Sequence, residues 1–209
     1  MSGVGHGYPV NLLVAGRRCV VVGAGRIAAR KIEGLLGAGA QVHVVAPDLV
    51  GDVQALRDTG AVTVSQRPFE PADLDGAWLA TTATGDPGVD HAVYAAGQER
   101  NVWVNSADDP ANCSFTLMSV VRRGDIVVTI GTNGRSPALA TWLRDHVRDE
   151  MGPEYETLLE MLSEAREEMR TAGRSSETAD WRKALDSGIL DLIRGGRIPE
   201  AKELLRACL

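Results

Sequence analysis

Between Arg18 and about Asn105 the chain alternates short runs of β-branched residues with segments of helical length. That pattern predicts repeated βαβ units wound about a parallel sheet. Strands are expected at 19–22, 41–46, 62–65, 78–82 and 102–104, each mostly apolar, as strands covered on both faces must be. The first helix places Ala28, Ile32, Leu35 and Leu36 on one stripe and should stop at Gly37 to Gly39. The second carries Val53 and Leu56 and ends at Gly60. Beyond Asn105 the pattern changes. Residues 115–121 and 126–130 read as two strands joined by Arg122-Arg123-Gly124-Asp125, a hairpin outside the parallel unit. Ser136 and Pro137 then have the character of an N-cap and a first helical residue, opening a helix through Leu139, Trp142, Leu143 and Val147. From Pro153 three apolar stripes follow on charged helices, at Tyr155 to Ala165, Trp181 to Leu192 and Ala201 to Cys208, with a linker at 171–176. These stripes are expected to dock on a neighbouring domain or subunit. The fold class is α/β: a Rossmann-like, doubly wound domain at 1–112, a small α+β region at 113–150 and a helical domain at 151–209.

Composition agrees with a globular protein, since 44% of the 209 residues are hydrophobic and 24% charged. No apolar run approaches the roughly 20 residues of a membrane span, and Met1 to Tyr8 lack the features of a secretory signal. A cytoplasmic protein is therefore expected. The three cysteines, Cys19, Cys113 and Cys208, are scattered and read as free thiols, and no cluster with metal-ligand spacing occurs. A net charge of -6 argues against nucleic acid as a generic partner. Structural roles are expected for His6, His43, His91 and His146.

The chemistry begins at Gly23-Ala24-Gly25-Arg26-Ile27-Ala28, which directly follows an apolar strand and opens a helix. In that context the spacing marks a dinucleotide site: Gly23 allows the tight turn, Gly25 lets backbone approach a pyrophosphate, and Ala28 lets helix and strand pack closely. The helix amino terminus adds unpaired N–H donors. Asp48, after Pro47 at the end of the second strand, is a late candidate for the ribose hydroxyls, or else a cap for the next helix. No arginine stands at that strand end, which favours NAD over NADP. Ligands in such folds lie beyond the carboxyl ends of the strands. This nominates Thr81 to Asp86, with Thr82 and Thr84 assigned to the dinucleotide, and Asn105 to Asp109, with Asn105 assigned to a substrate. Asp108 or Asp109 could act as a base, or both could be turn formers. Gly131 to Pro137 combines hydroxyls with a cation, and Thr132, Arg135 and Ser136 could seat a carboxylate or phosphate; otherwise this is a connecting loop. Arg122 and Arg123 could extend that basic patch.

In succession, Tyr8-Pro-Val-Asn-Leu12, the glycine motif, Val44-Val-Ala-Pro47, Ala80-Thr-Thr-Ala-Thr84, Asn105-Ser-Ala-Asp108, Ser114-Phe115 and Gly131 to Pro137 resemble the precorrin-2 dehydrogenase family, the amino-terminal module of siroheme synthases and its free-standing relatives. The resemblance covers about 140 residues in order. It implies NAD-dependent oxidation of precorrin-2 to sirohydrochlorin in siroheme biosynthesis, in some members with insertion of ferrous iron, by a homodimer. By position it implies Asp108 as the catalytic residue and Gly23, Gly25, Arg26, Ile27, Pro47 and Asp48 as NAD contacts. The polycarboxylate substrate calls for a cationic rim, for which Arg26, Arg122, Arg123 and Arg135 are the candidates. Asp109, beside the presumed base, departs from the family pattern. No counterpart of the methyltransferase module is present, so the chain is not expected to make precorrin-2. The alternative is a regulatory Rossmann module that senses NAD without catalysis.

Overall fold

The computed structural model describes residues 7–107 and 109–209. The chain divides between Leu117 and Met118 into two units. In the first, strands β1 (Arg18–Val22), β2 (Gln41–Val45), β3 (Thr63–Ser65), β4 (Leu79–Thr82) and β5 (Trp103–Ser106) form one parallel sheet in the order β3-β2-β1-β4-β5. Helices α1 (Arg26–Gly37), α2 (Gly51–Asp58) and α3 (Pro87–Arg100) cover it. The predicted βαβ alternation is therefore present. β5 runs on past the expected end, because Asn105 and Ser106 pair with Thr81 and Thr82. The chain moves outward from β1 through β2 to β3, then returns to β1's other side at β4, and that reversal opens a crevice at the carboxyl ends of β1 and β4.

β1 shows why its sequence is apolar throughout. Cys19 and Val21 pack with Ala28, Ile32, Val44 and Val53 on one face, whereas Val20 and Val22 pack with Leu74, Ala80, Val93 and Val104 on the other. Fully buried Ile32 contributes roughly 2 kcal/mol by this transfer alone. The helix starts differ in a way that matters below. α3 is closed by Asp86, whose carboxylate accepts the N–H groups of Gly88 (2.8 Å) and Val89 (3.3 Å), with Pro87 at the first helical position. α1 instead starts from Gly25, with no side-chain cap and no acid in its first turn.

The second unit begins with an antiparallel hairpin of β6 (Ser119–Arg123) and β7 (Ile126–Ile130), joined by the two-residue turn Gly124-Asp125. β6 starts later than the sequence suggests, because Phe115 packs into the core of the first unit instead of pairing with β7. α4 (Pro137–Glu150) packs on the hairpin, and Val121 is buried. The opposite face, with Val120, Arg122 and Val127, is exposed. α5 (Glu154–Thr171), α6 (Trp181–Leu185), α7 (Ile189–Arg194) and α8 (Ile198–Cys208) complete the unit. Two expectations are corrected here. The stripe from Trp181 to Leu192 is two helices, since the Ser187 hydroxyl turns back to the Ala184 carbonyl (2.6 Å) and ends α6. The apolar stripes also bury one another: Leu158, Met161, Ala184, Ile189, Ile193, Ala201 and Leu205 form one cluster, so no further domain is needed to cover them. No helix among the described residues is long and apolar enough to cross a membrane.

Candidate functional site

The glycine motif lies at the crevice between β1 and β4, and backbone defines its floor. Gly23 donates to the Val45 carbonyl (2.9 Å), Ala83 to the Val22 carbonyl (2.9 Å) and Val50 to the Ala24 carbonyl (3.2 Å), so the ends of three strands are knitted together. Gly23 has φ +103°, and a Cβ there would come within 2.6 Å of the Ala83 carbonyl oxygen. Only glycine fits that approach. At Gly25, by contrast, an added Cβ meets nothing within 4 Å, so the space above the start of α1 is open. An uncapped helix terminus facing open space, with backbone N–H donors and positive partial charge, suits a pyrophosphate. Arg26 and Ile27 are both exposed on this first turn. Pro47 and Asp48 are also exposed, and the Asp48 carboxylate bonds no described residue. It does not cap α2, whose N-cap is Val50. The residues present therefore fit a dinucleotide: Gly23, Gly25, Arg26 and Ile27 surround the open start of α1, and Asp48 is uncommitted.

The two threonines assigned to the dinucleotide behave differently. Thr84 is half-buried and closes the β4–α3 turn, with its hydroxyl donating to Asp90 Oδ1 (2.7 Å) and accepting from the Asp86 N–H (3.0 Å). Thr82 is fully buried and its hydroxyl has no partner among the described residues, so its side chain does not face the crevice opening.

Asp108, the residue implied as catalytic, lies outside the described residues. Its neighbour Asp109 has a defined structural task. Its carboxylate accepts the Ala111 N–H (3.2 Å) and the Asn112 side-chain amide (2.7 Å), capping a single 3-10 turn at Pro110–Asn112. Cys113 follows, with Sγ accepting the Ser106 N–H (3.2 Å) within a loop that folds back on β5 through the Asn105–Cys113 bridge. Burial pushes this thiol above its ordinary range, which disfavours the thiolate. Asn105 is tied down on every side. Its Oδ1 accepts from Lys31 Nζ (2.8 Å), its Nδ2 donates to the Phe115 carbonyl (3.0 Å), and its own carbonyl accepts the Thr81 hydroxyl (3.0 Å). Lys31 is the site residue that sequence reasoning missed. It is separated from Asn105 by 74 positions, and no periodicity or motif links the two.

In the second unit, Thr132, Arg135 and Ser136 come together in one turn. The Thr132 hydroxyl donates to the Ser136 carbonyl (3.0 Å) and accepts the Ser136 N–H (3.1 Å), while Arg135 N–H donates to the Thr132 carbonyl (3.0 Å). Ser136 Oγ accepts the Leu139 N–H (3.2 Å) and caps α4. Arg135 and Arg122 are exposed, with side chains that bond no described residue. Arg123 is committed elsewhere: its guanidinium donates to the carbonyls of Met151 (2.5 Å), Arg148 (2.8 Å) and Arg122 (3.2 Å), closing the end of α4. The described histidines are likewise occupied: His43 pairs with Thr63 and Ser65, His91 with Asn112, and His146 stacks on Trp142.

Three comparisons bear on this arrangement. A family model described as putative NAD(P)-binding matches residues 10–119. Among relatives, the siroheme synthase of Nitrosococcus oceani is 34% identical over 203 residues, and that of Thiobacillus denitrificans 35% over 202 residues. Each alignment covers 96% of this chain, and the chain spans 43% and 42% of those two proteins. Among solved structures, SirC, a precorrin-2 dehydrogenase, superimposes with a TM-score of 0.76 at 25% identity, covering 96% of this chain and 98% of that one.

Proposed function

Since this chain belongs to the putative NAD(P)-binding family and is related to the siroheme synthases along nearly its whole length, we propose that it oxidises precorrin-2 to sirohydrochlorin with NAD. The observation that carries this reading is the likeness to SirC, which spans both units and not the glycine motif alone. Bound NAD would supply the hydride acceptor. The chain's own residues do the rest. Gly23 and Gly25 bring backbone to the pyrophosphate, the α1 terminus neutralises part of its charge, and Asp48 offers acceptors to the ribose hydroxyls. Oxidation removes one hydride and one proton from the substrate, and the proton needs a base. Asp108 is assigned that task, since the carboxylate of its neighbour Asp109 is already engaged by the following turn. The substrate is a polycarboxylate. Arg122 and Arg135, whose exposed side chains bond no described residue, are its proposed cationic partners, with Thr132 and Ser136 shaping the turn that presents Arg135.

Insertion of ferrous iron into sirohydrochlorin, releasing two pyrrole protons, is proposed as a second step that the same base could serve. The proposed assembly is a homodimer, for which the exposed hairpin face of Val120 and Val127 is the suited surface. The proposed division is a NAD-binding domain at 1–112, a dimerisation region at 113–150 and a helical domain at 151–209.

Anaerobic incubation with enzymatically generated precorrin-2 and NAD tests the reading. NADH and the sirohydrochlorin spectrum are expected to rise together, and Asp108→Asn should abolish both while leaving NAD affinity nearly unchanged. NAD binding without either signal would instead favour a regulatory module.

A further inference from the structure

α1 packs on β1 and β2, near the middle of the sheet, whereas β5 is the edge strand on the far side of β4. Lys31, on the second turn of α1, nevertheless reaches β5, donating from Nζ to Asn105 Oδ1 at 2.8 Å. The bond therefore spans two functional elements, the helix whose amino terminus forms the dinucleotide seat and the strand end that leads into Asp108. Asn105 passes the link on. The other end of its amide holds the Phe115 carbonyl and lies 3.6 Å from Cys113 Sγ, so one lysine is joined through one buried side chain to both sides of the loop. The charge reaches the loop too. Although burial dominates at the Cys113 thiol and raises it, the Lys31 charge pulls it the other way.

Hydride and proton leave one substrate, so acceptor and base must be held at a fixed separation, and displacements on the order of 1 Å can cost about a hundredfold in rate. We infer that Lys31 is a positioning residue for the oxidation, a strut that fixes the β5 loop to the cofactor helix through Asn105. This rests on the dehydrogenase reading above. It goes beyond that reading in assigning a role to a residue outside both the glycine motif and the loop.

Full-length Lys31→Met and Lys31→Arg test it. For Lys31→Met, kcat with precorrin-2 is expected to fall roughly ten- to a hundredfold. Amide hydrogen exchange in 105–113 should accelerate, while the NAD dissociation constant and thermal midpoint stay close to wild type. Lys31→Arg, which keeps a cationic donor, should restore most of both properties. A kcat within twofold of wild type, or unchanged exchange in the loop, would overturn the inference. So would a kcat loss accompanied by lost NAD binding and a lower midpoint, with no rescue by arginine, since that pattern marks general destabilisation. Exchange separates the two failures. If wild-type protein forms no NADH from competent substrate but the loop still loosens in Lys31→Met, the strut stands and the dehydrogenase reading fails.

Discussion

Thr82 on β4 and Ser106 on β5 are register partners, and the hydroxyls of both are buried without a hydrogen-bond partner among the described residues. Their backbones are paired in the sheet, so the cost lies in the side chains alone. A buried hydroxyl with no partner loses about 1–3 kcal/mol of solvation. Thr82→Val, which keeps the shape and removes the orphan, is expected to raise the unfolding free energy by about 1 kcal/mol in a urea titration. A drop of that size would show that the hydroxyl is satisfied in solution.

The two motif glycines should fail in different ways. Gly23→Ala combines a positive φ with a Cβ 2.6 Å from the Ala83 carbonyl, and is expected to cost about 2 kcal/mol or more of stability together with NAD affinity. Gly25→Ala meets open space at φ -79°, so the thermal midpoint should barely move while the NAD dissociation constant rises at least tenfold. Calorimetry and a melting curve on both variants check this. Equal behaviour would remove the argument that Gly25 is kept open for a ligand.

Arg122 and Arg123 are adjacent in sequence and separate in task. Arg123→Ala strips two carbonyls at the end of α4 and is expected to lower stability by about 1–2 kcal/mol with little change in KM. Arg122→Ala should leave the melting curve in place and raise KM for precorrin-2. The reverse assignment of effects would sink the proposed substrate role of Arg122.

His43 gives a pH signature. Burial lowers its pKa, and the charges of Arg18 and Arg67 lower it further, so the unfolded chain binds a proton more readily than the folded one. Its contribution is fully present above the ordinary value of 6.5 and is lost as pH falls from there through the lower folded value. Unfolding free energy should decline from about pH 7.5 to about pH 5, with a shallower slope in His43→Gln. An unchanged slope would mean that other groups set the acid sensitivity.

The hairpin face makes the dimer testable. Val127 is 43% exposed, beside Val120 at 39% on the partner strand's same face. Val127→Glu places a charge there at no cost to the buried Val121 side. Sedimentation is expected to show a monomer for this variant and a dimer for wild type; a variant that remains dimeric would move the interface elsewhere.

How much of this was legible follows from the range of each signal. The β1 run and the Gly23 motif are local patterns whose meaning lies in adjacent residues, and the structure places them at the sheet's reversal. The Ser136 cap is equally local. Arg123 reads as part of a basic patch because the carbonyls it closes belong to residues 25 and 28 positions away. The pairing of Lys31 with Asn105 is longer still, and it depends on a helix and a strand that only the topology brings within reach. The break after α6 was missed for the opposite reason: the stripe from Trp181 to Leu192 keeps its helical spacing through a hydroxyl-closed turn.

Asp48 has a consequence for engineering. The floor of the cradle is backbone and tolerates little change, but this carboxylate is exposed, bonds no described residue and supports no helix start. With Asp48 in its proposed place at the ribose, the choice between the two cellular pools of nicotinamide coenzyme would fall to a side chain that the fold can exchange freely. Redirecting the chain from one pool to the other calls for a basic residue at this position and leaves the sheet beneath it undisturbed.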